Sequence, residues 1–156
     1  MEIHIRKMNP EDWEAVADIY QRGLDSGIAS FETQVPSWVK WDQKYHKVCR
    51  WVAEENNTIL GWVAISPVSA REVYRGVAEV SIYIDPEKGG KGIGQKLFKH
   101  LIEDSEKEGF WTLHSGIFPQ NTASIRLHEK MGFRKIGYRE RVAQRGGKWY
   151  DNLLME

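Results

Sequence analysis

Cysteine is almost missing from this sequence: Cys49 stands alone among 156 residues. No intramolecular disulfide can staple such a chain, and a reducing cytoplasm is the expected compartment. An excess of one charge is missing too, with lysine plus arginine and aspartate plus glutamate numbering 22 each. That balance argues against a general nucleic-acid binder, because phosphate neutralisation supplies most of the non-specific affinity of such proteins. No apolar run approaches the roughly 20 residues of a membrane span. The start, Met1-Glu2-Ile3-His4-Ile5-Arg6, also lacks the apolar stretch of a secretion signal. Neither a nucleic acid nor a membrane is therefore an expected partner. Repeats, low-complexity tracts and linkers are absent as well, so residues 1–156 read as a single domain. A chain of that length can bury roughly 68–70% of its unfolded surface and needs no metal to stay folded.

What is present is ordinary in amount and unusual in kind. Hydrophobic residues make up 41% and charged residues 28%, values of a soluble globular protein, but seven are tryptophan. Core packing accounts for most of these, and the surplus points to an aromatic cleft or a subunit interface.

Ile3 and Ile5 alternate with polar neighbours as in a short strand. Asn9-Pro10-Glu11-Asp12 then has the chemistry of a helix start, followed by Trp13, Val16, Ala17, Tyr20 and Leu24 at helical spacing. Asp25-Ser26-Gly27 breaks that helix, and Ser37 can cap another through Trp38, Trp41 and Tyr45. Two β-rich runs, Arg50 to Glu54 and Ile59 to Ser66, flank the hairpin residues Glu55-Asn56-Asn57-Thr58 and place Cys49 at the edge of an early strand, as a structural residue. Val77 to Ile84 reads as a central strand, with Val80, Ile82 and Ile84 on one side and Glu79, Ser81 and Tyr83 on the other. A helix from Ile93 to Glu108 is closed by Gly109. A strand from Trp111 to Phe118, a helix from Thr122 to Met131, and strands Phe133 to Val142 and Lys148 to Met155 complete the chain. Strands interleaved with helices predict an α/β (α+β) fold, one mixed sheet packed by helices.

Chemistry concentrates in two segments. Gly89-Gly90-Lys91-Gly92-Ile93-Gly94 lies between the central strand and a helix. Glycines let a ligand approach the backbone, while free N–H groups and the positive end of the helix dipole favour a phosphate. A P-loop would need Ser or Thr after Gly-Lys, and the dinucleotide fingerprint a Gly-x-Gly-x-x-Gly in an early βαβ unit; neither is met. Further on, Asn121-Thr122-Ala123-Ser124-Ile125-Arg126-Leu127-His128-Glu129-Lys130-Met131-Gly132-Phe133 puts Ser124 and His128 on one helix face behind an Asn cap. Taken singly, these are a turn, a cap and a helix histidine.

Together, a strand ending in Asp85-Pro86, the glycine turn and Asn-x-x-Ser-x-x-Leu-His-Glu-Lys-x-Gly-Phe resemble the GNAT superfamily of acetyltransferases. Gly27 to Thr33, Tyr74-Arg75-Gly76, Glu79 to Ile84 and Lys148 to Asp151 resemble its phosphinothricin and methionine sulfoximine N-acetyltransferase branch. The resemblance implies a mostly antiparallel sheet with a splayed central strand pair, and acetyl-CoA as co-substrate with no metal. It further implies a pantetheine site along Ile82, Tyr83 and Ile84, a pyrophosphate site at Gly90, Lys91, Gly92, Ile93, Gly94 and Gln95, and contacts from Asn121 and Lys130. The family usually has Arg or Gln at the position of Gly89, so one side chain near the pyrophosphate is missing. Many members carry Tyr where His128 stands, whereas the phosphinothricin branch has His.

Acetyl transfer from a thioester to an amine requires a deprotonated nitrogen, a polarised carbonyl and a protonated leaving thiolate. Glu79, on the face opposite Val80, Ile82 and Ile84, is the expected base. A backbone N–H of Ile82 to Ile84 is the expected polarising group, and His128 the expected acid. Arg75 can grip a substrate carboxylate, with Phe31 and Tyr74 as pocket walls and Glu72 and Val73 completing the loop. The expected substrate is a small amino-acid-like amine. A protein N-terminus, a lysine or a polyamine is the alternative, as is a CoA-binding module without turnover. The surplus aromatics and the resemblance imply a homodimer.

Overall fold

In a computed structural model, the described residues, 2–156, form seven strands and four α-helices. In chain order these are β1 (His4–Lys7), α1 (Trp13–Asp25), α2 (Trp38–Lys44), β2 (Trp51–Glu55), β3 (Thr58–Pro67) and β4 (Val77–Ile84). There follow α3 (Ile93–Lys107), β5 (Thr112–Ile117), α4 (Thr122–Lys130), β6 (Lys135–Arg145) and β7 (Lys148–Met155). They pair as one sheet in the order β1-β2-β3-β4-β5-β7-β6. Only β4 and β5 run parallel; the other neighbours are antiparallel. The fold is thus a mixed α/β sheet with helices on its faces, as the interleaved pattern predicts. Among the described residues, no helix is long and apolar enough to cross a membrane.

Local chemistry explains the boundaries. Asn9 and Pro10 open a single 3-10 turn before α1, and the Asp12 carboxylate accepts the Asn9 N–H at 2.8 Å while gripping Arg6 at 2.8 Å. Ser37 caps α2 by accepting from the Lys40 N–H. Asn56 and Asn57, both at positive φ, turn the β2–β3 hairpin, the conformation that a tight two-residue loop demands. Gly109, at φ +91°, ends α3 as predicted.

Two expectations need correction. Cys49 lies outside the strand, in a bend before β2 with φ +64°; it is buried, and burial pushes its thiol up to about 12. Strand β6 runs on past Val142 to Arg145, because a register shift between Arg139 and Ala143 with Arg141 at φ +49° absorbs a break in the alternation and lets pairing with β7 resume.

The sheet has two different cores. On the α3 side lie Leu60, Val63, Ile65, Val80, Leu97, Phe98 and Leu101, chiefly aliphatic. On the α1 and α2 side, Val16, Ile19 and Leu24 hold up a cluster of rings from Tyr20, Trp41, Tyr45 and Trp62. Four of the seven tryptophans (13, 38, 41 and 62) belong to that second core, so packing absorbs most of the aromatic surplus. Trp111 and Trp149 are more than half exposed.

Candidate active site

Strands β4 and β5 begin side by side and then part. Val77, Ala78 and Glu79 pair with Thr112, Leu113 and His114, and no rung follows. Strand β3 stays paired with β4 to its end, up to Gly61 opposite Ile84. The β5-facing backbone groups of Val80 to Ile84 are therefore left without a strand partner, a gap that peptide groups do not tolerate unless water or a ligand fills it. A cavity of about 210 Å³ occupies this gap, walled by β4, β5, one face of α4 and the loop between α1 and α2.

Alternation along β4 decides which side chains meet the cavity. Val80, Ile82 and Ile84 pack into the aliphatic core, and Glu79, Ser81 and Tyr83 turn the other way and line the cleft. Glu79 sits on the last paired rung, at the vertex of the gap. Ser81 Oγ accepts from the Tyr45 hydroxyl at 2.9 Å, and Tyr83 stacks on Trp62 with centroids 5.2 Å apart.

The glycine turn leads from the far end of β4 into α3. Gly90 (φ +83°) and Gly92 (φ +71°) adopt the left-handed conformation, and a Cβ at either would meet nothing within 4 Å. The backbone here is bent and bare, open to a ligand at the start of a 15-residue helix. Gly94 does something else. A Cβ there would come 2.7 Å from Leu127 Cδ2, so this glycine lets α4 pack against α3. Ile93 is buried in the aliphatic core, Gln95 is half-buried in α3, and Lys91 pairs with Glu55 at 3.4 Å. Lys130 ends α4 on the surface.

Asn121 caps α4, accepting the Ser124 N–H at 3.2 Å, and also lines the cleft. His128 is 2% exposed, between Phe98 and Phe133. Its Nδ1 lies 2.7 Å from the Ser124 carbonyl oxygen. That oxygen can only accept, so Nδ1 carries the proton, and Nε2 accepts from the Ser115 hydroxyl at 2.9 Å. Burial lowers the imidazole pKa further than the Ser124 contact raises it. Neutral His128 thus has no ring proton facing the cleft, and the expected direct donation to a thiolate lacks its proton in this state.

The substrate loop departs most from expectation. Phe31 does wall the cleft, edge-on to Phe118 at 4.5 Å. Glu72, Val73, Tyr74 and Arg75 do not: they form a 3-10 turn and its cap, all exposed, before β4. Arg75 lies over the Trp111 ring at 5.3 Å, pairs loosely with Glu72 and keeps 63% of its side chain exposed. In place of this loop the cavity receives Glu32 and Lys44, 3.6 Å apart. Glu32 lies in the Gly27 to Thr33 segment that carries the resemblance, without a role assigned to it there, and Lys44 ends the Ser37-capped helix. Arg145, from the end of β6, fixes the loop that carries Phe31 by donating to the carbonyls of Gly27 (2.6 Å) and Ser30 (2.7 Å), with its guanidinium 4.8 Å from the Tyr150 ring.

A bare glycine turn at a helix start, an unpaired strand edge leading to it and a carboxylate at the other end of that edge coincide with the acetyltransferase (GNAT) family model, which matches residues 13–133. The chain belongs to the GNAT family. An L-methionine sulfoximine/L-methionine sulfone acetyltransferase of Salmonella typhimurium is 34% identical over 105 residues, 67% of this chain and 61% of that protein. This GNAT chain therefore spans about three fifths of the length of that relative. A phosphinothricin N-acetyltransferase of Alcaligenes faecalis is 31% identical over 97% of this chain and 80% of its own. Among solved structures, a GNAT phosphinothricin acetyltransferase of Sinorhizobium meliloti in complex with acetyl-CoA superposes with a TM-score of 0.88. It is 28% identical, with 99% of this chain and 87% of that chain covered.

Proposed function

We propose that residues 1–156 form one domain that transfers the acetyl group of acetyl-CoA to the amino group of a small amino-acid-like substrate of the methionine sulfone or phosphinothricin type. The observation that carries this reading is Glu79 on the last β4–β5 rung, where the unpaired edge of Val80 to Ile84 begins. Two of the three requirements of N-acetylation, a base for the nitrogen and free backbone donors for the carbonyl, meet at that point.

Acetyl-CoA, when bound, supplies the activated acetyl group. The bare turn at Gly90 and Gly92 suits its pyrophosphate, and the free edge at Ile82 to Ile84 suits its peptide-like arm. An α-amino group with a pKa of about 8 is mostly protonated at neutral pH. The Glu79 carboxylate takes that proton, the freed nitrogen attacks the thioester carbonyl, and a backbone N–H of the Ile82 to Ile84 segment steadies the developing oxyanion. The carbon–sulfur bond then breaks. The nitrogen sheds its second proton as the amide forms and, with a thiol pKa of about 8.5 close to neutrality, water can carry that proton to the departing sulfur. His128, through its bond to Ser115, shapes this wall of the cleft.

A thiol-release assay with acetyl-CoA and a panel of amines tests the reading. Turnover with methionine sulfone or phosphinothricin, exceeding that with polyamines or peptide N-termini, is expected. Binding without turnover would leave a CoA-binding module. Acetyl-CoA should also raise the melting temperature, by a stabilisation of about 2.7 kcal/mol at 100 times Kd, and Gly92→Glu should abolish the shift by setting charge and bulk in the turn.

The exposed apolar side chains of Val73, Trp111, Tyr138 and Trp149 support association as a homodimer. A mass in solution near 18.1 kDa would count against it. The lone buried thiol accords with a cytoplasmic enzyme.

A further inference from the structure

An amino-acid substrate brings a carboxylate as well as an amine, and a carboxylate in a half-enclosed cleft needs a cationic partner. Arg75 stands outside the cavity, over Trp111. Among the described residues that line the cleft, a single side chain is a lysine or arginine: Lys44, the last residue of α2. His128, the other basic group there, is neutral and has both ring nitrogens engaged.

The surroundings of Lys44 suit a residue that exchanges partners. Its Nζ is 3.6 Å from Glu32 Oε1 and 5.2 Å from the centroid of the Tyr45 ring. Both side chains of this ion pair are 47% exposed, so the pair is wet and weak. Glu32 is the anchored member, because its Oε2 accepts from the hydroxyl of buried Tyr20 at 2.9 Å. Lys44 rests between Glu32 and the face of the Tyr45 ring. Burial works against its ammonium, and Tyr45, then Glu32 and Glu79, more than restore it. A carboxylate entering the cleft can therefore take the Lys44 ammonium without breaking a strong bond or leaving Glu32 unsatisfied.

Resting on the amino-acid reading of this cleft, we propose that Lys44 reads the substrate's α-carboxylate, while Glu79 faces its amino group. The lining then matches a zwitterion end to end, a cation for its carboxylate and a carboxylate for its ammonium. An amine lacking the carboxylate gains nothing from Lys44, which stays with Glu32. This is selection by charge pairing, and it moves the carboxylate contact from the 72–75 turn to the end of α2.

Steady-state kinetics on the full chain, with methionine sulfone and its decarboxylated amine as a matched pair, test the proposal. Lys44→Met should raise KM for the amino acid roughly tenfold or more, the loss typical of a charge-assisted hydrogen bond, and leave KM for the decarboxylated amine nearly unchanged. Lys44→Arg should recover much of the difference. The acetyl-CoA melting shift of each variant reports that the fold and the cofactor turn are intact. Equal effects of Lys44→Met on both substrates, or none on either, would overturn the proposal. So would a carboxylate-specific loss in Arg75→Ala with none in Lys44→Met, which would return the contact to Arg75. A wild-type enzyme that acetylates the decarboxylated amine and refuses the amino acid would overturn the amino-acid reading itself, and this proposal with it, before any variant is made.

Discussion

The two faces of the sheet are built from different chemistry. Against α3 the core is chiefly aliphatic, filled by Leu60, Ile65, Leu97 and Leu101, and the buried polar side chains at its edge, Ser105 and His128, are satisfied within their own helices or by Ser115. Against α1 and α2 the core is aromatic, and its rings carry hydroxyls that reach the cleft: Tyr20 to Glu32, and Tyr45 to Ser81. Strand β4 belongs to both, sending Val80, Ile82 and Ile84 one way and Glu79, Ser81 and Tyr83 the other. The difference teaches that one face supplies stability and the other holds site groups in place. An apolar side chain with a polar tip can be packed rigidly by its body while its tip orients a partner.

Substitutions on the two faces should therefore separate stability from activity. Leu101→Ala, deep in the aliphatic core, should lower stability by about 2–5 kcal/mol and leave KM for the amine unchanged in the folded fraction. Tyr45→Phe removes one hydroxyl and should cost only about 0.5–1.5 kcal/mol, yet change kcat/KM by freeing Ser81 beside Glu79. Denaturant melts read alongside kinetics decide the matter. Loss of amine affinity in Leu101→Ala, or an unchanged kcat/KM in Tyr45→Phe, would erase the distinction.

Arg145 offers a finer test, because it acts on the cleft from the opposite end of the chain. With the Gly27 and Ser30 carbonyls released, the loop bearing Phe31 should loosen. Arg145→Ala should then raise KM for the amine by roughly tenfold, as loss of charge-assisted hydrogen bonds implies, with kcat nearly preserved. Arg145→Lys, keeping a donor, should restore part of the effect.

Much of this division was legible in the sequence, and for a definite reason. The period-2 pattern of Val77 to Ile84 and the helical pattern of Ile93 to Lys107 are long enough to state which face is buried. The cleft side of β4 is thus written in the sequence. The glycine turn carries its conformation in its composition. The resemblance of Tyr74-Arg75-Gly76 and the chemistry of a guanidinium put Arg75 at the substrate, whereas its loop lies over Trp111 outside the cavity; the course of an aperiodic loop leaves no such mark in the sequence. Glu32 lies in the Gly27 to Thr33 loop and Lys44 at the end of a seven-residue helix, where no periodicity marks a face and nothing in the sequence brings the two together. Their meeting depends on tertiary packing through Tyr20. The spacing in α4 puts His128 on the face of Ser124 but says nothing of its protonation state, which only the carbonyl of Ser124 and the hydroxyl of Ser115 reveal.

The smallest expected effects come from pH. Burial lowers the pKa of His128 and of His46, so the unfolded chain takes a proton that the folded one resists. Their contribution is full above about pH 6.5 and is lost as pH falls below it. Asp12 is held low by Arg6; Asp85 is pushed up by burial and pulled further down by Arg22. These carboxylates stabilise the fold above about pH 4, and that support is lost on further acidification. Melting temperature should therefore decline gently below pH 6.5 and steeply below pH 4. A profile flat to pH 3 would contradict both assignments.

The base role of Glu79 is the point on which the proposed chemistry turns, and a pH series of kcat for Glu79→Gln tests it most directly. At pH 7 kcat should fall by roughly 10²–10⁴-fold, the range for loss of a general base, while the melting shift given by acetyl-CoA is unchanged. The deficit should shrink as pH rises and the substrate amine loses its proton to solvent. A Glu79→Gln enzyme with wild-type kcat at pH 7 would contradict that role and leave Glu79 as a polar wall at the vertex of the cleft.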